Sequence, residues 1–106
     1  MTDGDPTPAD GARLEAVVHG RVQGVGFRFY VLRFAGQLPI SGWVSNENDG
    51  SVRCVAEGSR SDLERLLAAL RAGPPGAEVS RVSDRWLPPT GSLAGFSVRS
   101  AGHRGD

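Results

Sequence analysis

The sequence predicts an α+β domain in which an antiparallel sheet of four to five strands carries two helices on one face. Segments with helical spacing of apolar residues alternate with strand-like segments in the order strand, helix, strand, strand, helix, strand, followed by a short fifth strand. A tight turn joins the second and third strands, whereas each helix connects two strands. This order is that of a split βαβ unit.

The first half of the chain places one helix between two strands. Residues 1–11 are acidic and rich in Pro, Gly and Asp, so we expect a disordered tail. Apolar and polar residues alternate at the start of residues 14–19 and a short apolar run follows, which is typical of a central strand. Residues 40–45 are predicted to form the second strand. Pro39 limits the helix between them, because the residue before a proline avoids helical geometry. The predicted apolar face of this helix consists of Phe27, Tyr30, Val31, Phe34, Ala35 and Leu38.

A hairpin and a second helix follow. Residues 46–50, Asn-Glu-Asn-Asp-Gly, predict a turn, and residues 51–57 alternate as the returning strand. Ser61 and Glu64 match a capping box at the start of the second helix. Its apolar stripe consists of Leu63, Leu66, Leu67 and Leu70.

The last part of the chain completes the sheet. Gly73, followed by two prolines, ends the second helix. Residues 78–87 predict a long strand and residues 96–99 a short closing strand, before a loose C-terminal tail at residues 101–106. We therefore predict one domain, residues 12–100, arranged as a ferredoxin-like split βαβ sandwich.

The composition limits the chemistry available to this domain. Formal net charge is zero, which favours neither nucleic-acid nor membrane binding, and no apolar run is long enough to cross a bilayer. All twelve basic residues are arginines, so a P-loop lysine and a Schiff-base lysine are excluded. Cys54 is the only cysteine and cannot form an internal disulfide, so we expect a cytoplasmic protein. We also expect a monomer with no metal and no cofactor.

The most distinctive stretch is Gly-Arg-Val-Gln-Gly-Val-Gly-Phe-Arg at residues 20–28, between the first strand and the first helix. Its three glycines allow the backbone to approach a ligand, and the N–H groups there and in the first helical turn can point together at an anion. Arg28 adds a planar set of donors that suits phosphate. A tight connection is the alternative for so short a motif, and Phe29 in place of a third glycine excludes a dinucleotide fingerprint.

Strand order predicts which other residue lies near this loop. In a split βαβ unit the first and second strands run in the same direction with the third between them, so their C-terminal ends lie at one end of the sheet. The loop leaves the first strand there, and Asn46 leaves the second. We therefore expect Arg28 and Asn46 to flank one site.

Residues 20–28, together with Gly-Trp-Val-Ser-Asn at residues 42–46 and Asp-Gly-Ser-Val at residues 49–52, closely resemble the acylphosphatase family. The likeness extends to Phe-Ser-Val-Arg at residues 96–99 and covers the chain except its tails. The resemblance implies a ferredoxin-like fold that hydrolyses acyl phosphates without metal.

The resemblance also implies site residues. Arg28 matches the phosphate-binding arginine, and Asn46 matches the asparagine that positions the attacking water. The matching cradle consists of the backbone amides of Gln23, Gly24, Val25, Gly26, Phe27 and Arg28. Ser45 stands where members often have a basic residue and Glu47 follows Asn46, so we expect a less positive rim.

Two other functions stay open. A non-catalytic ferredoxin-like anion-binding or regulatory module could keep the cradle, although it has no need of a water-positioning amide. The chain could also be related to the acylphosphatase-like portion of hydrogenase-maturation carbamoyltransferases, although its short length with a tail at each end favours a free-standing enzyme.

The remaining chemistry-bearing residues have structural interpretations. His19, at the end of a strand, is expected to be a packed or solvent-facing structural histidine. Cys54 lies on a strand in which apolar and polar residues alternate, and we expect it to be a core residue. We also expect Trp43, Phe27 and Tyr30 in the core.

Overall fold

The computed structural model of the chain describes residues 11–100 and contains five strands and two helices in the predicted order. Their bounds are β1 Gly11–Arg21, α1 Phe27–Ala35, β2 Ser41–Asn46, β3 Val52–Ser59, α2 Arg60–Ala72, β4 Glu78–Leu87 and β5 Phe96–Ser100. The predicted tails at residues 1–11 and 101–106 lie outside the described residues, except for Gly11. There the prediction is wrong, because Gly11 begins β1 and pairs with Ser59.

The strands form one sheet in the order β4-β1-β3-β2-β5. β1 is antiparallel to β3 and β4, and β2 is antiparallel to β3, so the predicted split βαβ arrangement is confirmed. One detail differs from a purely antiparallel sheet, since β5 pairs in parallel with β2. The reason is directional. β4 lies at the opposite edge and runs against β2, so a single reversing loop brings β5 alongside β2 in the same direction.

One face of the sheet is buried beneath both helices. Alternate residues of β1 are buried, and they belong to the same hydrophobic cluster as the apolar faces of α1 and α2. The Tyr30 hydroxyl joins the two helices by donating to the carbonyl oxygen of Ala69 at 2.8 Å. The largest fully buried side chains are Phe27, Leu14, Leu63, Leu66, Leu70, Val18, Val22, Val31, Val44, Val52, Val55 and Cys54. Burial of this apolar area is the main stabilising contribution to the domain.

The aromatic and cysteine predictions have mixed outcomes. Phe27 and Cys54 are buried core residues as predicted. Tyr30 is partly buried and packs against the core. The prediction that Trp43 lies in the core is wrong. It is only half-buried and stands on the open face of the sheet, where the Arg99 guanidinium lies 4.6 Å from the centre of its ring.

The cap of the second helix lies two residues earlier than predicted. Ser59 is its N-cap in extended geometry, and the Ser59 hydroxyl accepts the backbone N–H of Asp62 at 3.2 Å. Ser61 and Glu64 are not the cap because the helix already starts at Arg60. Glu64 instead forms an exposed i,i+4 ion pair with Arg60 at 3.3 Å.

The first helix is shorter than its apolar spacing suggests. It ends at Ala35, and the next residues close the last turn with short-range bonds from Gln37 N–H to Phe34 O and from Leu38 N–H to Ala35 O. Leu38 therefore lies outside the helix, yet it still packs against the core. Gly73 ends α2 as predicted, with positive φ and its N–H donating to Ala69 O.

The loop from β4 to β5, residues 88–95, has to cross the sheet because these strands form opposite edges. It is held by Glu57 of β3, whose carboxylate accepts the N–H and hydroxyl of Thr90 at 2.9 and 2.8 Å and the N–H of Gly91 at 2.9 Å. Arg13 donates to the same carboxylate at 2.8 Å. Burial alone raises the pKa of Glu57, but these hydrogen bonds outweigh it and lower the pKa to about 2.

Candidate active site

The glycine-rich loop connects β1 to α1 through left-handed backbone. Gly26 is the N-cap of α1 with φ 77° and ψ 22°, and no side chain caps the first turn of the helix. Gly24 has the same positive φ. An L-residue with a Cβ rarely adopts this geometry, so the sequence supplies glycine where the chain turns into the helix. The uncapped first-turn N–H groups are the type of donor that binds anions.

Gly20 has a different role from the one predicted. It lies at an irregularity in the β1–β4 pairing, and a Cβ built there would overlap the carbonyl oxygen of Glu78. Gly20, the first glycine of the stretch, therefore allows two strands to approach each other rather than the backbone to approach a ligand. This requirement depends on β4, which follows far along the chain.

A concavity of about 120 Å³ lies where the loop meets the end of β2. Its lining consists of Val22, Gly24, Gly26, Phe27, Arg28, Phe29 and Asn46. Arg28 and Asn46 thus lie together as strand order predicts, because β1 and β2 are both antiparallel to β3 and their carboxyl ends share one end of the sheet. Of the predicted cradle, Gln23 and Val25 are not part of the lining.

Asn46 is the last residue of β2 rather than the first residue of the turn. Its backbone pairs with Val52 on one side and with Ser100 on the other. Within residues 11–100, neither the Arg28 guanidinium nor the Asn46 amide is part of the side-chain hydrogen bonds and ion pairs that hold the fold. Their donors and acceptor can therefore serve a ligand.

The structural role of the Gln23 side chain is not predicted from the sequence. Its amide nitrogen donates to the backbone carbonyls of Glu47 at 2.7 Å and Ser51 at 2.9 Å, so it ties the glycine-rich loop to the β2–β3 turn. From the sequence, only the backbone N–H of Gln23 is expected to take part in the site. No local pattern signals this contact, because the acceptors lie 24 and 28 residues away.

The turn after Asn46 is closed by its own polar groups. The Asp49 carboxylate accepts the hydroxyl of Ser51 at 2.6 Å and its N–H at 2.9 Å, and these bonds lower the pKa of Asp49. The Ser45 hydroxyl donates to the Glu47 carboxylate at 2.6 Å. Glu47, the acid predicted to make the rim less positive, is thus hydrogen-bonded to Ser45.

Other titratable groups lie away from the concavity. His19 is half-buried and 3.5 Å from the Arg81 guanidinium, which agrees with a structural role. Burial raises the pKa of the Cys54 thiol to about 12, so it stays protonated near neutral pH. Within residues 11–100 no group of three His, Cys, Asp or Glu is placed to hold a metal ion.

A second concavity, of about 190 Å³, lies on the open face of the sheet. It includes Glu15, Arg53 and Arg85 but none of the loop residues. Although it is larger, its charged groups compensate one another, with Arg53 and Glu15 3.9 Å apart. It lacks the uncapped helical N–H groups found beside Arg28, so the smaller concavity is the better candidate for an anion site.

The fold and this concavity define a class of protein: a small α+β domain with a concavity lined by a glycine-rich loop, one arginine and one asparagine. Comparisons identify the family. The family model described as Acylphosphatase matches residues 14–98. A sequence from Mycolicibacterium smegmatis named acylphosphatase is 47% identical over 90 residues, which cover 85% of this chain and 92% of that protein. This chain belongs to the acylphosphatase family.

Solved structures agree with this assignment. The chain is similar to an acylphosphatase from Bacillus subtilis, with a TM-score of 0.80, 34% identity and coverage of 83% of this chain and 98% of that one. It is also similar to an acylphosphatase from Coxiella burnetii, with a TM-score of 0.79, 36% identity and coverage of 93% and 100%. In the described part of the chain, neither helix has the length and apolar character needed to span a bilayer.

Proposed function

We propose that this chain hydrolyses acyl phosphates to a carboxylate and inorganic phosphate without a metal ion. In this proposal Arg28 and the backbone amides of residues 23–28 hold the phosphoryl group, and Asn46 positions the water that attacks phosphorus. Family membership supports the reaction. The single observation that best supports the residue roles is that Arg28 and Asn46 line one concavity with the uncapped start of α1.

The reaction suits a site with few catalytic groups. Water attacks phosphorus as the bond to the acyl oxygen breaks, and that bonding pair leaves with the carboxylate: RCO–OPO₃²⁻ + H₂O gives RCOO⁻ and H₂PO₄⁻. A carboxylic acid has a pKa of about 4, so the leaving oxygen needs no proton from a general acid. The protein has to hold the phosphoryl group, stabilise its equatorial oxygens and align the water opposite the leaving group.

Asn46 acts as an aligner and not as a base. Its amide has one acceptor and two donors, which can orient a water molecule, but it is too weakly basic to remove a proton. A nonbridging phosphoryl oxygen of the substrate takes that proton, which accounts for the second proton of H₂PO₄⁻. Burial of Cys54 and the position of His19 outside the concavity lining are consistent with this substrate-assisted step.

Phosphate release from acetyl and benzoyl phosphate, measured with a chelator present, tests the proposal. Arg28→Ala should lower kcat/KM by roughly 10²–10³-fold or more, because a preorganised charge at the phosphoryl oxygens is lost. Arg33→Ala is the matched control, since Arg33 is an exposed arginine on the same helix that does not line the concavity. Equal losses in both variants would contradict the role of Arg28.

Asn46→Ala should lower kcat while inorganic phosphate still inhibits with nearly its original strength. Asn48→Ala, at an exposed asparagine of the turn that follows Asn46, is the control and should behave as wild type. Loss of phosphate binding in Asn46→Ala with kcat unchanged would reverse the assigned roles. A folded wild type that binds phosphate but releases none would favour the non-catalytic anion-binding module.

The proposal includes a monomeric, cytoplasmic enzyme whose catalytic domain is residues 12–100. A lone, fully buried cysteine supports a reducing compartment, because the thiol has no partner within the chain. Closure of the core by the chain's own two helices supports a monomer. Sedimentation at a mass well above 11.2 kDa would contradict the monomer.

A further inference from the structure

Phe29 is exposed although it is a large apolar residue. Its relative exposure is 61%, and no other large hydrophobic side chain in the described part of the chain is classed as exposed. It lies in the first turn of α1, but the core-facing side of this helix is formed by Phe27, Val31 and Ala35. Phe29 therefore contributes little to the hydrophobic core.

The same residue lines the concavity that contains Arg28 and Asn46. Two of the other apolar lining residues, Val22 and Phe27, are almost completely buried. Gly24 and Gly26 contribute backbone only. Phe29 is thus the lining residue that offers an exposed apolar surface.

An acyl phosphate bound here has two chemically different ends. Its charged phosphoryl group belongs with the guanidinium and the N–H groups, and its acyl group, one bridging oxygen away, has to project from that polar end. An apolar acyl group that reaches the rim can remove itself and an exposed phenyl ring from water together. Two aromatic groups gain further from edge-to-face or offset stacking.

We propose that Phe29 is a specificity-determining residue whose ring packs against the acyl group and favours apolar, especially aromatic, acyl phosphates over acetyl phosphate. This inference rests on the proposed hydrolase function. Phe29 has no part in the chemical step, so its effect lies in KM for the apolar substrate. The phosphoryl end is bound by other groups and is common to all substrates.

Steady-state kinetics on benzoyl phosphate and acetyl phosphate test this. In Phe29→Ala, the ratio of kcat/KM for benzoyl phosphate to kcat/KM for acetyl phosphate should fall about fivefold, through KM, as expected for a lost aromatic contact. Phe29→Leu should give an intermediate ratio, since it stays apolar without the ring, and Phe29→Trp should keep the preference. Inhibition by inorganic phosphate should change less than twofold.

Leu32→Ala is the matched control. Leu32 lies one turn further along α1 and belongs neither to the core cluster nor to the concavity lining, so its ratio should equal that of wild type. Thermal melting of each variant checks that it is folded. An equal fall in the ratio in Leu32→Ala would overturn the assignment, because a general effect on the helix would then explain it.

The outcomes separate the two proposals. If wild type hydrolyses both substrates and Phe29→Ala leaves the ratio unchanged, the role of Phe29 is wrong and the hydrolase function stands. If folded wild type hydrolyses neither, the hydrolase function is wrong and the role of Phe29 fails with it. A fall in kcat for both substrates at constant KM would also overturn the role, because it would place the effect on the chemical step.

Discussion

Gln23 shows how a single side chain can set the spacing of a site that it does not line. Its amide bridges from the glycine-rich loop to the carbonyls of Glu47 and Ser51, which flank the turn that follows Asn46. The distance between the loop and the Asn46 side chain therefore depends on two hydrogen bonds made by one group. In an active site, small errors in such spacing are costly.

We expect Gln23→Ala to lower kcat and to reduce the free energy of unfolding by about 1–3 kcal/mol, because two partly buried hydrogen bonds are lost while each carbonyl keeps one backbone donor. Gln23→Glu removes the same donor while keeping the length of the side chain, so it should have the same effect at neutral pH. Gln37→Ala, at an exposed glutamine just after α1, is the control. Wild-type kcat and stability in Gln23→Ala would contradict this interpretation.

At the residue scale, the sequence predicts the pair Arg28 and Asn46 but not the contact that spaces them. The pair follows from strand order, since two parallel strands end at the same place. The Gln23 contact depends on where two carbonyls point in the finished turn, and backbone carbonyls carry no sequence signature. Gly20 is similar, because its need for glycine comes from the backbone of β4.

At the scale of elements, the junction of β3 and α2 has no connecting residues. Ser59 is the last residue of β3 and also the N-cap of α2. Both Ser59–Asp62 and Ser61–Glu64 have the spacing of a serine followed three residues later by an acid. The choice between them depends on how far β3 pairs with β1, and that pairing extends to Ser59 opposite Gly11. Local sequence alone could not decide it.

Ser59→Ala should therefore reduce the free energy of unfolding by about 1 kcal/mol, the usual cost of a lost N-cap. Ser61→Ala should change it by less than about 0.5 kcal/mol, since Ser61 is an exposed residue inside the helix. Urea denaturation followed by circular dichroism measures both. Equal losses would mean that the cap is shared between the two serines.

At the scale of the whole molecule, the path of the chain from one edge of the sheet to the other is stabilised by one buried acid of β3. Glu57 holds the loop that carries the chain from one edge of the sheet to the other. The sequence predicts Glu57 only as part of an alternating strand, because its partners Thr90 and Gly91 follow more than 30 residues later. For the same reason the sequence does not reveal at which edge β5 pairs.

Acid should destabilise the protein through this group. The pKa of Glu57 is about 2 in the folded protein, below its ordinary value of 4.5. Its ionised form thus contributes stability that is fully present above pH 4.5 and is lost as the pH falls from there towards 2. The contribution is on the order of 3 kcal/mol at neutral pH. Denaturant titrations between pH 2 and 6 should show this loss in wild type.

Glu57→Gln should flatten the pH dependence of stability in that range, because it removes the titrating group. Glu64→Gln, which affects only an exposed ion pair, should keep the wild-type profile. Similar slopes for wild type and Glu57→Gln would show that other carboxylates dominate acid unfolding.

The crossing of the 88–95 loop has a further consequence for how the catalytic parts are distributed along the chain. The residues proposed to hold phosphate come from the first third of the chain, whereas the strand bearing Asn46 is flanked on its outer side by the last described residues, through the pairing of Asn46 with Ser100. Strand β5 therefore supports the residue proposed to align the water, and it also packs against α1, which carries Arg28. A change in β5 is accordingly expected to affect both proposed parts of the site, although it lies far from them along the polypeptide.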